Sequence, residues 1–373
     1  MIDFKGLTYS DESFVVNQIP LIHLSMHVKL YEPNLARSGG FFSFVYQALQ
    51  SEVGAVGTDA PRPLPKMTEP RTHESAWVEL DGKLLLLDMS DHVFLIDLPA
   101  LRHCDLYFKT NFHRETAEAV LAESGEGALL SKIRPFFSFA GYLSDYLKPS
   151  LLRNMYDRVW GRKEDVCDVV GVYEHLRRDG ETSVYATEAA ELSSNRVHYW
   201  ARVHTLEALK AAGLTGTLRL TSRYNKEIED GELICSNLSQ RAYRRAILRS
   251  KMLVINTLPH ALLPWKATES LALGRPFIVD TPPLTEFPEP FQLTEGDHYL
   301  SLLPATSYTD HRHARVLHPF TLDEFTEGAD KIAENLRDSE KLKHMNSEVQ
   351  KYRDQVLRPE TLVQYIFDSL EAT

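Results

Sequence analysis

The segment 251–280, KMLVINTLPHALLPWKATESLALGRPFIVD, has residue types and spacing suited to a phosphorylated ligand. Its two apolar runs, separated by a loop, an amphipathic stretch and Gly274, read as strand, loop, helix, turn and strand. A loop after Asn256 and a helix starting near Trp265 would present backbone N–H groups and positive dipole to an anion. Lys266 can add a phosphate contact, and Glu269, one turn in, can accept hydrogen bonds from a ribose diol. The plainer alternative makes both of them solvent-facing helix residues. Trp265 can pack on a base or sugar, or join the core.

A second group of ionisable residues lies in LLLLDMSDHVF (84–94). A strand ending there puts Asp88, Asp91 and His92 at its carboxyl end. Asp91 or His92 can then take the proton of a hydroxyl group, with Asp88 orienting it. The alternative is a helix N-cap by Asp91 beside a surface histidine. DLYFKTNFH (105–113) offers Lys109 and His113 at another strand end. RAYRRAILRSK (241–251) concentrates bases on one helix, so Arg244 or Arg245 can meet a diphosphate or simply face solvent. Asp310-His311-Arg312-His313 has metal-ligand types but no distant partners, and reads as a solvated loop.

These residues need elements to hold them. Short apolar runs alternate with helical patterns, which argues for parallel sheets covered by helices. In the first half, 19–26, 83–88, 105–109 and 134–140 read as strands, and 41–50, the DLPALRHC stretch (97–104) and 114–123 as helical. HVKLYEPNLARSGG (27–40) reads as a loop and 60–66 as a loop or crossover. In the second half, 166–173, 217–221, 252–256, 276–280 and 299–303 read as strands. Helices are expected over about 194–212, 239–250 and 265–273, and over most of the chain from Asp323 onward. The polar and aromatic stretch 141–165 is expected to join two domains. In open parallel sheets ligands sit outside the carboxyl ends of strands, so a cleft between the halves is the expected site.

Length and charge bound the alternatives. The 373 residues suggest two domains, and 43% hydrophobic with 25% charged residues is a folded composition. The net charge of −11 is shared by both halves, so the chain as a whole is no electrostatic clamp for nucleic acid, although a local basic groove stays open to it. Cys104, Cys167 and Cys235 lie far apart, which fits buried thiols in a reducing compartment. The N-terminus lacks the bases and apolar core of a signal peptide, and no apolar run approaches a membrane span. A cytoplasmic protein is expected, and peripheral membrane contact remains compatible with it.

ESLALGRPFIVD (269–280) resembles the C-terminal nucleotide-sugar motif of GT-B glycosyltransferases, E-(A/S)-(L/M)-A-x-G-x-P followed by three hydrophobic residues. The resemblance implies that Glu269 holds the donor ribose and that 250–266 leads into the donor site. His260-Ala-Leu-Leu-Pro264 replaces the family's EGFG-type loop, making His260 the donor-site candidate there. The first acidic residue of the two-Glu motif of many retaining members is absent. That removes the simplest case for retention without establishing inversion.

The strand at 166–173 and the helix containing Asn195-Arg196 resemble the start of the family's second domain, which implies Arg196 at the diphosphate. An exposed arginine near a helix cap is the alternative. Ser38-Gly39-Gly40 resembles the glycine loop of the first domain, where Gly39 and Gly40 would admit donor phosphate or acceptor. A glycine pair also starts a helix sharply.

The resemblance implies an α/β fold of two Rossmann-like parallel-sheet domains facing a cleft. Residues 1–150 would form the acceptor side, 151–350 the donor side, and 351–373 a C-terminal helix packing back on the first domain. The implied activity moves a sugar, hexosyl or related, from a UDP- or GDP-sugar to a hydroxyl of a glycan, lipid-linked saccharide or small molecule. No DxD occurs, and the family does not need a divalent metal held that way. The alternatives are a non-catalytic nucleotide-sugar binder and a sugar-nucleotide epimerase of the same fold. Transfer to a DNA base is a variant of the first reading.

Overall fold

The computed structural model describes residues 27–31, 42–61, 63, 75–90, 92–139, 167–174, 194–221, 234–235, 240–258, 260–308 and 320–372. Of these, 172–174, 194–200, 219–221, 234–235 and 240–241 are described by their backbone only. The expected strand at 19–26 and the joining stretch 141–165 lie outside the described residues.

The fold is α/β, built on two six-stranded sheets. The first contains β1 (Val28–Tyr31), β2 (Val56–Thr58), β3 (Ser75–Leu80), β4 (Lys83–Asp88), β5 (Leu106–Thr110) and β6 (Ile133–Phe136), in the order β2-β1-β3-β4-β5-β6. It is covered by α1 (Ser43–Val53), α2 (Leu98–His103), α3 (Arg114–Glu123) and a 3₁₀ turn, Gly127–Lys132. The Leu-rich β4 is buried through Leu85, Leu86 and Leu87, as befits a central strand. Side-chain caps start two of the helices: Asp97 accepts from Ala100 N–H and His113 from Thr116 N–H.

Two expectations for this sheet need correction. Residues 28–31, read as loop, form β1. The sheet is also not wholly parallel, because β3 runs antiparallel to both β1 and β4. The signal was present in Asp81-Gly82, whose positive φ values of 48° and 80° make a two-residue hairpin turn.

The second sheet contains β7 (Cys167–Glu174), β8 (Gly216–Thr221), β9 (Ile234–Cys235), β10 (Ser250–Ile255), β11 (Phe277–Val279) and β12 (Tyr299–Ser301). All its pairings are parallel, in the order β12-β11-β10-β7-β8-β9. Numbered from β7, that is the doubly wound order 3-2-1-4-5-6. Its helices are α4 (Ser194–Ala211), α5 (Gln240–Leu248) and α6 (Lys266–Ala272), followed by α7 (Leu322–Arg337), α8 (Ser339–Gln355) and α9 (Pro359–Glu371). Gly171 lets α4 lie close on β7, since a Cβ there would sit 3.1 Å from both Leu206 and Val254. Among the described residues no helix is long and apolar enough to cross a membrane.

One apolar cluster joins the sheets. It runs from Leu30, Leu85 and Phe108 through Phe137 and Phe139 to Phe291, Leu253 and Ile255. Phe137 stacks on Phe291 with centroids 5.4 Å apart and planes at 18°. The chain's last helix returns to the first sheet, where Tyr365 donates to the Pro135 carbonyl at 2.6 Å and its ring meets Phe108 edge-on.

Candidate functional site

In the second sheet the strand order runs one way from β7 and the other way from β10, and the carboxyl ends at such a switch point are where doubly wound sheets form a ligand crevice. The loop 256–265 leaves β10 at that point, and a buried carboxylate fixes its shape. Asp280, just past β11 and 0% exposed, accepts hydrogen bonds from Thr257 N at 2.6 Å, Leu258 N at 3.3 Å and Thr281 N at 3.0 Å. The Asn256 amide and the Thr257 hydroxyl also donate to it. Burial pushes the Asp280 carboxyl above the ordinary range, and the bonds from Thr257, Leu258 and Thr281 act against that rise. Sequence reading missed Asp280, which appears there only as the last residue of a strand.

The loop leads into α6. Glu269 lies one turn in, 0% exposed, with Oε1 4.0 Å from Nε of Arg244 on α5. The Lys266 ammonium, on the same helix as Glu269, lies 5.9 Å from the centre of the ring of Tyr243, the neighbour of Arg244 on α5. Burial and then the charge of Glu269 raise the Tyr243 phenol far above its usual range. Glu269, Arg244 and Lys266 are therefore brought together, with Glu269 enclosed rather than solvent-facing. Thr268, also on α6, donates to the Ser138 carbonyl at 2.6 Å and so ties this helix to the end of the first sheet. Arg196 falls in the first turn of α4, and its side chain lies outside the described residues.

On the first sheet, parallel pairing of β4 with β5 sets Asp88 beside Lys109. The Asp88 carboxylate accepts from Lys109 Nζ at 3.1 Å, Tyr107 Oη at 2.6 Å and Ser90 N at 2.9 Å. Lys109 is 0% exposed and also donates to Ser90 Oγ. Asp88 thus holds a buried network and the turn at Ser90, and it makes no hydrogen bond to His92. Burial, followed by the charge of Asp88, raises the Tyr107 phenol well above normal. His92 follows this turn, half-buried, with its ring 5.7 Å from that of Phe94. Asp91, Gly39 and Gly40 lie outside the described residues, as does the Asp310–His313 cluster.

The two sheets meet at these loops. Phe94 approaches His260 at 6.1 Å between centroids, and the neighbouring Val93 joins the apolar cluster of the second sheet. His113 meets Tyr308 edge-on at 4.8 Å, and Tyr308 Oη donates to the His260 carbonyl at 2.6 Å. Segment 284–286 bridges the halves. Leu284 N donates to the Ala261 carbonyl at 2.8 Å and Glu286 N to the Phe112 carbonyl at 2.6 Å. Arg114 N closes the seam on Glu286 Oε1 at 3.0 Å. His92, His113 and His260 are thus gathered along one seam. The structure adds Tyr308 and Glu286, which sequence reading did not single out because their partners are distant in the chain. Among the described residues, no group of three or more His, Cys, Asp and Glu is placed to hold a metal ion.

No protein-family model matches the chain, and no curated protein sequence matches it. Solved structures are similar at low identity. Anabaena HepE in complex with UDP and glucose is 14% identical, with 78% of this chain and 71% of that chain covered and a TM-score of 0.42. A glycosyltransferase from Rickettsia africae is 7% identical, with 76% and 69% covered and a TM-score of 0.40. HepE in complex with UDP covers 89% and 76% at 12% identity and a TM-score of 0.39.

Proposed function

We propose that the protein is a nucleotide-sugar-dependent glycosyltransferase of the GT-B type. Residues 1–150 would carry the acceptor side and 151–350 the donor side, with the C-terminal helix of 351–373 closing on the first domain. The observation that carries this reading is the strand order of the second sheet. Its switch point, between β7 and β10, coincides with the loop and helix that open the 269–280 motif. A nucleotide bound in that crevice faces the loops of the first sheet across the seam, where an acceptor can lie.

In this reading the donor is a UDP- or GDP-sugar, and a protein-held divalent ion is not required. Ribose hydroxyls exchange for part of the Glu269–Arg244 contact on binding. As the donor C1–O bond breaks, its electron pair leaves with the diphosphate, and negative charge builds there. Lys266, Arg196 and Arg244 oppose that charge. The acceptor oxygen forms the new bond to C1, and its proton passes to Asp91 or His92. Asp88 acts at one remove, by fixing the Ser90 turn that leads to those two residues. His260 stands on the loop after β10, 6.1 Å from the Phe94 ring of the first half, and Gly39 and Gly40 would border the acceptor or donor phosphate. The acceptor is a hydroxyl of a glycan, lipid-linked saccharide or small molecule, and the reaction is cytoplasmic.

The test is turnover. With UDP- and GDP-sugars and saccharide acceptor pools, nucleoside diphosphate and a glycosylated product should appear together. Asp91→Asn combined with His92→Ala should lower kcat by ~10²–10⁴. Full transfer by that double variant would sink the base assignment. Donor binding without turnover, or an isomerised sugar nucleotide without acceptor, would contradict the reaction class.

A further inference from the structure

Three polar groups at the carboxyl ends of the strands are unaccounted for by the fold. Asn111, which follows β5, and Thr285, in the bridging segment 284–286, are each 5% exposed. Asn111 Nδ2 and Thr285 Oγ1 are enclosed without a hydrogen-bond partner among the described residues. So is Asn256 Oδ1, whose amide nitrogen is held by Asp280. Unsatisfied buried groups of this kind oppose folding, so stability alone does not explain them.

Backbone bonds relate the segments that carry them. Glu286 N bonds to the carbonyl of Phe112, and Asn111 and Thr285 each adjoin one end of that bond. Leu284, on the other side of Thr285, bonds to the loop that begins at Asn256. Asn111 holds a left-handed backbone, φ 52°, which an asparagine tolerates and most residues do not. The three groups are uncharged: one N–H donor, one carbonyl acceptor and one hydroxyl that does both. A phosphate or carboxylate calls for cations, and the nearby Arg114 is turned to Glu286. Neutral hydroxyls, which donate and accept at once, match this set.

We infer that Asn111, Asn256 and Thr285 form a subsite that reads the hydroxyls of a sugar ring at the seam between the sheets. The inference rests on the glycosyltransferase reading and deepens it. The hydroxyls belong either to the donor sugar or to a saccharide acceptor. The sugar reaches the groups as segment 284–286 parts from residues 112–114, which are joined to it by the Glu286 bonds and the exposed Arg114–Glu286 pair.

Thr285→Val removes the hydroxyl at constant shape, and Asn111→Gly removes the amide while keeping the left-handed backbone. Titration calorimetry would use UDP, GDP, UDP-glucose and GDP-mannose, then free mono- and disaccharides in the presence of UDP. Thr285→Val should melt no lower than wild type, because no internal hydrogen bond is lost. Both variants should bind free nucleotides as wild type does. Each should lose about fivefold or more of the affinity for a sugar nucleotide if the donor sugar sits there. The same loss confined to free saccharides identifies the acceptor instead. A lower melting temperature for Thr285→Val, or unchanged affinity for every sugar-bearing probe in both variants, overturns the subsite alone. Wild-type protein that binds no probe overturns the glycosyltransferase reading beneath it.

Discussion

Asp280 organises the loop after β10 through neutral donors. Its carboxylate is surrounded by Asn256, Thr257, Leu258 and Thr281, and it shapes the loop from which α6 starts. Its folded pKa lies above the unfolded value of ~3.9. The stability associated with its protonation is therefore fully present below that pH and is lost as pH rises through the folded pKa. Asp280→Asn keeps an acceptor oxygen for the loop N–H groups, and its new amide can donate to the turned Asn256 oxygen. Wild type should then lose stability relative to Asp280→Asn as pH rises above about 4, read by urea denaturation over a pH series. Parallel pH profiles would contradict this. Asp280→Ala, which strands several N–H groups, should cost about 3 kcal/mol or more at pH 7.

At this scale residue types were legible and partnerships were not. Glu269, Lys266 and Arg244 could be named from the sequence as one neighbourhood, but the enclosure of Glu269 and its approach to Arg244 depend on the tertiary fold. Asp88 and Lys109 both read as cleft groups at strand ends. Adjacent parallel strands in register instead pair them with each other inside the first sheet.

Among elements, the strands and helices with a clear period were legible: β4, β5, α3 and α4 lie within a residue or two of their expected bounds. β1 and β3 were not. β1 has only four residues, followed in the sequence by the turn formers Pro33-Asn34, and reads with them as loop; β3 is missed although Asp81-Gly82 follows it directly. Helix packing brings a further constraint that sequence does not display. Gly328 on α7 faces Leu302 just past β12, and a Cβ at 328 would overlap the Leu302 carbonyl oxygen. Gly328→Ala gains helix propensity but must push α7 off the sheet. It should destabilise by about 1–3 kcal/mol, with a lower urea midpoint. A stabilised variant would show that α7 does not sit this close.

For the whole molecule, length and alternation pointed to two sheet-based halves, and the structure builds them with one parallel and one mixed sheet. Among the described residues, an apolar cluster shared by both sheets and the bridge at 284–286 help to connect them. The acidic total of −11 does not describe the second sheet locally, where the basic helix α5, with Arg244, lies near Lys266. That arrangement suits an anionic ligand in an otherwise acidic protein.

The glycosyltransferase reading requires a sugar nucleotide at the switch point of the second sheet. Thermal unfolding of the full chain with UDP-, GDP-, dTDP- and CMP-sugars is the test. A ligand at ~100 times its dissociation constant stabilises by about 2.7 kcal/mol. One nucleotide class, UDP or GDP, should raise the unfolding temperature, and Lys266→Ala should reduce that rise without lowering the unliganded value. No shift with any nucleotide at millimolar concentration would contradict the claim.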